Sequence, residues 1–325
     1  MTHLFLLAVT ALSSAGAAHV RAQVPCDMTP AEQAWVTRSL AAWNLVRTQK
    51  LRLSVESHPR MVLFDDRCRF EATAGASPQW RGTPHQGTIT LPDGNSVPAA
   101  VISSTSRNDS TGEVFFVMAL PPIWVASKAV GMRDEDGLTA VFVHEFSHVE
   151  QLPILQPLFD SASKHFKVPE HLSDDRLQQV FEHDSAYAAA YTRERDLLFA
   201  AATEPDSAAA RTLAREAYAS MVARQRRWFV GNSAVWKPYD DLFLTMEGIG
   251  QWDAYAWLAD PRGGGLTTAA ARDKMRGRRR WWSQDEGLAL FLVIDRFLPS
   301  WAQQAFGRDP VLGIDLLGEA VSGRS

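Results

Sequence analysis

The character of the sequence changes near residue 135, and this change limits the folds that the chain can adopt. Before it, short apolar runs are separated by turn signals such as Pro92-Asp93-Gly94, which indicates β-strands. After Asp136 nearly every segment has helical periodicity. The predicted strands are 61–66, 67–72, 87–91, 99–104 and 114–120, and the predicted long helices are 175–202, 206–229, 240–259 and 284–298. Strands that precede helices instead of alternating with them favour an α+β fold, in which a small mixed sheet in the N-terminal half packs with a mostly α-helical C-terminal half.

Two helix boundaries carry local signals. Thr29-Pro30 reads as an N-cap followed by proline in the first turn, which predicts a helix that extends to about Gln49. The segment from Ser283 to Glu286 has the pattern of a capping box and predicts the start of the helix that ends before Pro299.

Composition excludes several classes of protein. Hydrophobic residues make up 46% of the chain and charged residues 22%, which argues against a disordered or fibrous protein. The formal net charge of −4 gives no electrostatic basis for general nucleic-acid binding. A chain of 325 residues can bury a large core without a structural metal, so a bound metal is expected to do chemistry.

The N-terminus has the pattern of a secretory signal peptide. An apolar run at 4–12 is followed by small residues, and cleavage is predicted after Ala22. The run is too short to span a bilayer, so we expect a secreted or periplasmic protein without stable membrane insertion once the signal is removed. The predicted organisation is a signal peptide at 1–22, an N-terminal helix with a β-rich part at 23–135, and a helical metal-binding catalytic part at 136–325. A single continuous domain that covers the last two is the alternative.

The chain has two cysteines, Cys26 and Cys68, and both follow the predicted cleavage site. In an oxidising compartment an even pair indicates one disulfide, which would attach the mature N-terminus to the early strands. Two buried thiols are the alternative, and the spacing does not separate the two interpretations.

The segment from His144 to His148 contains the candidate residues for metal binding and catalysis. Side chains four residues apart lie on the same face of a helix, so both imidazoles can bind one ion, while Glu145 can reach a water molecule on that ion. This is the His-Glu-x-x-His zinc signature, with the glutamate as general base. The surrounding residues are apolar and predict a buried helix that starts near Asp136 and ends at Pro153.

A catalytic zinc needs a third protein ligand and an open position for water. The preferred candidate is Glu247, because its helical neighbours are apolar or small and because Gly248 and Gly250 would allow a close approach to another helix. Glu182 and Glu194 are the alternatives. For Glu194 the alternative role is structural, such as the orientation of a ligand imidazole or an arginine, and for Asp184 this structural role is preferred.

The segment from His144 to His148, followed by the segment from Met246 to Trp252, resembles the gluzincin metallopeptidases. The resemblance implies a zincin-like fold, His144, His148 and Glu247 as ligands of one zinc ion, and Glu145 as the base. The sequence departs from the aminopeptidase N-like pattern in two ways: Glu247 follows His148 by 99 positions, and Gly250 replaces the usual alanine.

The predicted function is that of an exported zinc metallopeptidase, which hydrolyses peptide bonds with a metal-activated water and Glu145 as general base. By analogy with zincins, the run 114–120 is either the edge strand that holds a peptide or protein substrate or a buried core strand. Tyr187, Tyr255 and His183 are open candidates for stabilising the oxyanion. The alternative functions are hydrolysis of another amide or ester in the cell envelope and non-enzymatic metal binding.

Overall fold

The computed structural model describes residues 25–54, 56–127, 134–165, 176–277 and 281–323. The predicted signal peptide at 1–22 lies outside these ranges. The fold is α+β, as predicted. The helices are α1 Pro30–Leu45, α2 Pro121–Ala126, α3 Glu135–His165, α4 Arg176–Phe181, α5 Ser185–Thr203, α6 Ser207–Trp228, α7 Trp236–Ala259, α8 Thr268–Arg276, α9 Trp282–Phe297, α10 Trp301–Ala305 and α11 Gly313–Ser322. The strands are β1 Arg60–Phe64, β2 Cys68–Thr73, β3 Arg81–Pro84, β4 Thr88–Thr90, β5 Ser96–Pro98, β6 Ser103–Arg107 and β7 Val114–Ala119.

The main sheet has five strands in the order β3-β2-β1-β7-β6. Strands β1 and β7 are parallel, with Val62 opposite Val117, and the other neighbours are antiparallel. The interpretation of 114–120 as an edge strand is therefore wrong, because β7 lies between two strands and is buried on both faces. The strand at this edge is β6, which starts at Ser103, so the strand predicted at 99–104 begins four residues too early.

Helix α1 begins where the sequence predicts. The Thr29 hydroxyl accepts from the backbone amide of Glu32 at 3.3 Å, and the Glu32 carboxylate accepts from the Thr29 amide at 2.8 Å, which completes a capping box. The regular helix ends at Leu45 and continues as a π-helical segment, Val46–Leu51.

Helix α3 is much longer than predicted. It passes through Pro153 and Pro157 and ends at His165, so the prediction that Pro153 terminates it is wrong. Proline removes one hydrogen bond of the helix ladder and crowds the preceding turn. Packing of the buried Val149, Gln151 and Leu155 on both sides of Pro153 keeps the segment helical despite that cost.

The helix predicted at 175–202 is divided by a turn. Asp184 caps α5 by accepting from the backbone amides of Ala186 and Tyr187 at 3.0 and 3.1 Å. The capping box predicted at Ser283 is absent, because α9 begins two residues earlier and has no side-chain cap at Trp281. The Glu286 side chain is buried instead, next to Arg224.

Aromatic packing fixes the orientation of α3. Phe142 and Phe146 contact Phe116 of β7, with ring centroids 4.9 and 5.2 Å away, and they also contact Trp35 and Trp43 of α1 at 5.9 Å each. These contacts attach one face of α3 to the sheet and to α1. The opposite face, which carries His144 and His148, is left for α7.

A disulfide joins Cys26 to Cys68, which confirms the prediction made from the cysteine pair. It attaches the segment before α1 to β2.

Within the described ranges, no helix has both the length and the apolar character that crossing a bilayer requires.

Candidate metal centre

His144 and His148 lie one helical turn apart on the face of α3 that packs against α7. Each residue is 5% exposed, and the two ring centroids are 4.9 Å apart. The Gln151 side chain lies 3.3 Å from Nδ1 of His148, so this nitrogen is engaged within the helix. The other nitrogen, Nε2, of both rings faces Glu247 of α7.

The structure brings Glu247 to the two histidines. Its Oε2 atom is 3.2 Å from Nε2 of His144, and its Oε1 atom is 3.6 Å from Nε2 of His148. Glu247 is only 4% exposed. Of the three carboxylates proposed from the sequence as third ligand, Glu247 is the one whose oxygens contact both imidazoles.

Gly250 explains how α7 approaches the imidazoles so closely. A Cβ atom at this position would lie 2.9 Å from Nδ1 and Cε1 of His144 and 3.1 Å from Cε1 of His148. Gly248 has the corresponding role toward α9, since a Cβ there would lie 2.8 Å from the carbonyl oxygen of Gly287. The predicted need for close helix packing at these two glycines is therefore met on two sides of α7.

The electrostatics of the site favour the protonation states that His148 and Glu247 need as metal ligands. Burial lowers the pKa of His148 to about 4, against the attraction of Glu247, so the ring is neutral at pH 7. Burial opposes ionisation of Glu247, but the hydrogen bond and the charge interaction with His144 outweigh it and lower the pKa of Glu247 to about 2. A neutral imidazole and an ionised carboxylate are the forms that bind a metal.

Glu145 occupies a different position from the three buried side chains. It is half-buried, and one potential ligand atom each from His144, Glu145 and His148 lies within 4.8 Å of the others. Its backbone carbonyl accepts a 2.6 Å hydrogen bond from the Thr105 hydroxyl of β6. This contact fixes the edge strand beside the turn of α3 that carries the candidate site.

The remaining sequence candidates lie elsewhere. Glu194 is fully buried and forms an ion pair with Arg224, while Glu182 is exposed in the turn after α4. The hydroxyl of Tyr187 accepts a 2.6 Å hydrogen bond from Arg224, so it belongs to the same cluster. The side chain of His183 is 91% exposed.

Two residues near the site were not found from the sequence. Asp253 on α7 is completely buried next to His144 and Ser147, and burial raises its pKa well above the ordinary value, opposed by the attraction of His144. Gln284 on α9 donates a 3.2 Å hydrogen bond from its amide to Oε2 of Glu247. A buried acid in a helix as apolar as α7 is a signal that could have identified Asp253, whereas Gln284 depends on a packing that the sequence does not show.

The donor set fits a divalent metal ion. Two imidazole nitrogens and a carboxylate are a common set of zinc ligands. A buried ionised carboxylate needs a cation close to it, and a metal ion between Glu247 and the two imidazoles would supply that charge. Among the described residues, His144, Glu145 and His148 also lie close enough together to hold a metal ion. Comparison of the chain with family models, curated proteins and solved structures finds no match.

Proposed function

We propose that this protein is an exported zinc-dependent metallopeptidase of the zincin type, similar to the gluzincins, that hydrolyses peptide bonds. The observation that carries the proposal is the convergence of His144, His148 and Glu247 in a buried site while Glu145 stays half-buried beside them. A purely structural site has four protein ligands and no need for an accessible carboxylate, whereas a catalytic site needs both an open position and a base.

Each residue has a distinct role in this proposal. His144, His148 and Glu247 would hold the zinc ion, which supplies a lower pKa for water and a polarised substrate carbonyl when bound. Glu145 would accept the proton of the attacking water and return it to the leaving amine. The hydrogen bond from Thr105 to the carbonyl of Glu145 would fix the backbone from which the base projects.

The edge strand β6 is the proposed binding site for an extended peptide. It pairs with β7 on one side and ends the main sheet on the other. An edge strand presents backbone groups that can pair with a peptide, and specificity then comes from pockets for alternate side chains. The contact of Thr105 with Glu145 would bring such a peptide to the base.

Export is supported by two observations. The Cys26–Cys68 disulfide is typical of an oxidising compartment. The apolar run at 4–12 has the length of a signal-peptide core.

The test is a comparison of Glu145→Gln with the native protein on a peptide library, with and without a chelator. We expect the variant to retain zinc, measured by elemental analysis, and to lose peptide hydrolysis by about 10²- to 10⁴-fold, because the proton acceptor is gone. Chelation should abolish the activity of the native protein.

Glu150→Gln is the matched control, since Glu150 lies on the same helix and binds the amide and hydroxyl of Ser57 instead. It should hydrolyse peptides like the native protein. Unchanged peptide hydrolysis in Glu145→Gln would refute the catalytic proposal. A native protein that cleaves esters or other amides but no peptides would refute the substrate class.

A further inference from the structure

Gln284 of α9 forms a hydrogen bond with Glu247, the candidate metal ligand on α7. Gln284 lies in the first turn of α9, and its amide is 3.2 Å from Oε2 of Glu247. An ionised carboxylate can only accept hydrogen bonds, so the side of the amide that faces Oε2 must be the NH2 group. The same oxygen is 3.2 Å from His144, whereas Oε1 is the oxygen that faces His148.

The close packing of α7 against α9 determines where the Gln284 side chain lies. Gly248, which follows Glu247, meets Gly287 of α9 so closely that a Cβ atom at Gly287 would lie 2.7 Å from the Cα atom of Gly248. Gln284 is three residues before Gly287 and therefore lies about one helical turn away, on the same side of α9. Packing at the glycines thus brings its amide within reach of Glu247.

A hydrogen-bond donor on one carboxylate oxygen makes that oxygen less available to a metal ion. A carboxylate can bind a metal through one oxygen or through both, and a catalytic zinc site must keep a position for water. Partners of this kind orient ligands and tune metal affinity.

We propose that Gln284 is a positioning residue that holds Oε2 of Glu247, so that Glu247 binds the metal through Oε1 and the position for water stays open. This inference rests on the metal centre proposed above. Removal of the amide frees Oε2, and the carboxylate then rotates or binds through both oxygens.

The experiment compares the native protein with Gln284→Met, which keeps the length of the side chain and removes the donor. Both are loaded with Co²⁺ in place of zinc, because the visible absorption of Co²⁺ depends on the coordination geometry. We expect the position and intensity of the absorption bands to change in Gln284→Met. Zinc affinity, measured by competition with a chromophoric chelator, should fall about 10- to 100-fold.

Gln178→Met is the matched control. Gln178 accepts a 3.0 Å hydrogen bond from the amide of Trp282, so its loss disturbs the same end of α9. We expect its Co²⁺ spectrum to match that of the native protein. An unchanged spectrum in Gln284→Met, or an equal change in Gln178→Met, would overturn the role of Gln284. A native protein that binds neither Co²⁺ nor Zn²⁺ would refute the metal centre itself, and the two failures are thus distinguishable.

Discussion

Single atoms decide the geometry of the candidate centre. The imidazoles of His144 and His148 fit against α7 because Gly250 has no side chain, and a methyl group at that position would lie within 3.1 Å of both rings. Contacts below 3.0 Å between carbon atoms are strongly repulsive, and side chains in a packed core have little room to move away. Substitution of Gly250 therefore displaces the rings and not the methyl group.

Gly250→Ala tests whether the missing side chain at this position is needed for metal binding. Helix propensity alone predicts that the substitution stabilises the protein. Alanine stabilises a helix interior by about 1 kcal/mol relative to glycine. We nevertheless expect zinc affinity to fall at least about tenfold, because the rings lose their orientation. Chelator competition measures the affinity. Gly75→Ala is the control, since a Cβ atom there meets nothing within 4 Å, and equal zinc affinity in all three proteins would contradict the argument.

The sequence predicts those residues of the candidate centre whose positions follow from spacing or neighbours within a single helix. The spacing of His144 and His148 places both on one helical face, and the glycines beside Glu247 predict a close contact. Gln284 was missed for a physical reason. Its proximity to the candidate ligand Glu247 depends on how α9 packs against α7, and that information is not contained in any one segment.

Helices α5, α6, α7 and α9 meet around one buried arginine. Arg224 is 1% exposed and forms ion pairs with Glu194 and Asp240, while Glu286 lies 4.0 Å from it. Three buried carboxyl groups thus face one guanidinium group. Tyr187 also contacts Arg224, and it stays neutral because burial raises its pKa well above the ordinary value. If one of the three carboxyl groups is protonated, the negative charge around Arg224 is reduced.

The pKa shifts favour a proton shared within the pair Glu194 and Glu286. Burial raises the pKa of Glu194 to about 7, against the attraction of Arg224, and burial together with the charge of Glu194 also raises the pKa of Glu286. An acid with a raised pKa in the folded state keeps its proton where the unfolded chain has lost it. Its contribution to stability is therefore greatest below about pH 4.5 and declines as the pH rises toward 7.

Glu286→Gln should make this pH dependence shallower. The amide can donate to Glu194 at any pH, so no proton has to be lost as the pH rises. We expect the decrease in the free energy of unfolding between pH 5 and pH 8, measured with urea, to be about 1–3 kcal/mol smaller than in the native protein. Glu216→Gln removes a carboxylate from an exposed pair with Arg193 and should leave the pH profile unchanged. Parallel native and Glu286→Gln profiles would exclude a shared proton.

The elements themselves were predicted with uneven success. Local signals such as the Thr29 cap gave the start of α1 correctly, since they depend on neighbouring residues alone. Pro153 was a misleading signal, because the core contacts of α3 outweigh the cost of a proline within the helix. The apolar run 114–120 was read as a strand but its place in the sheet was open, and its burial on both faces belongs to an interior strand.

At the scale of the whole molecule, the change of periodicity near residue 135 was enough to predict the α+β class. The order of the strands was not predictable from it. Parallel pairing of β1 with β7 joins segments that are far apart in the sequence, and the intervening strands β4 and β5 form a separate two-stranded sheet. Such pairings are decided by tertiary packing and not by local pattern.

The disulfide is the one covalent link between the start of the described chain and the sheet, and its contribution to stability can be estimated. Cys26 and Cys68 are 42 positions apart, and closure of a loop of that size lowers the entropy of the unfolded chain by an amount worth about 4 kcal/mol. The segment is also packed in the native state, since a Cβ atom at Gly82 of β3 would overlap the carbonyl oxygen of Cys26. The folded state already holds this segment in place, so the main effect of the bond is on the unfolded chain.

Replacement of both cysteines by serine should therefore reduce the free energy of unfolding by about 2–4 kcal/mol, measured with urea under oxidising conditions. Reduction of the native protein with dithiothreitol should produce a similar loss, and the double variant should not respond to dithiothreitol. The double variant should bind zinc at the proposed centre as the native protein does, because neither cysteine belongs to the proposed ligand set. Equal stability of the oxidised native protein and the double variant would contradict the estimate.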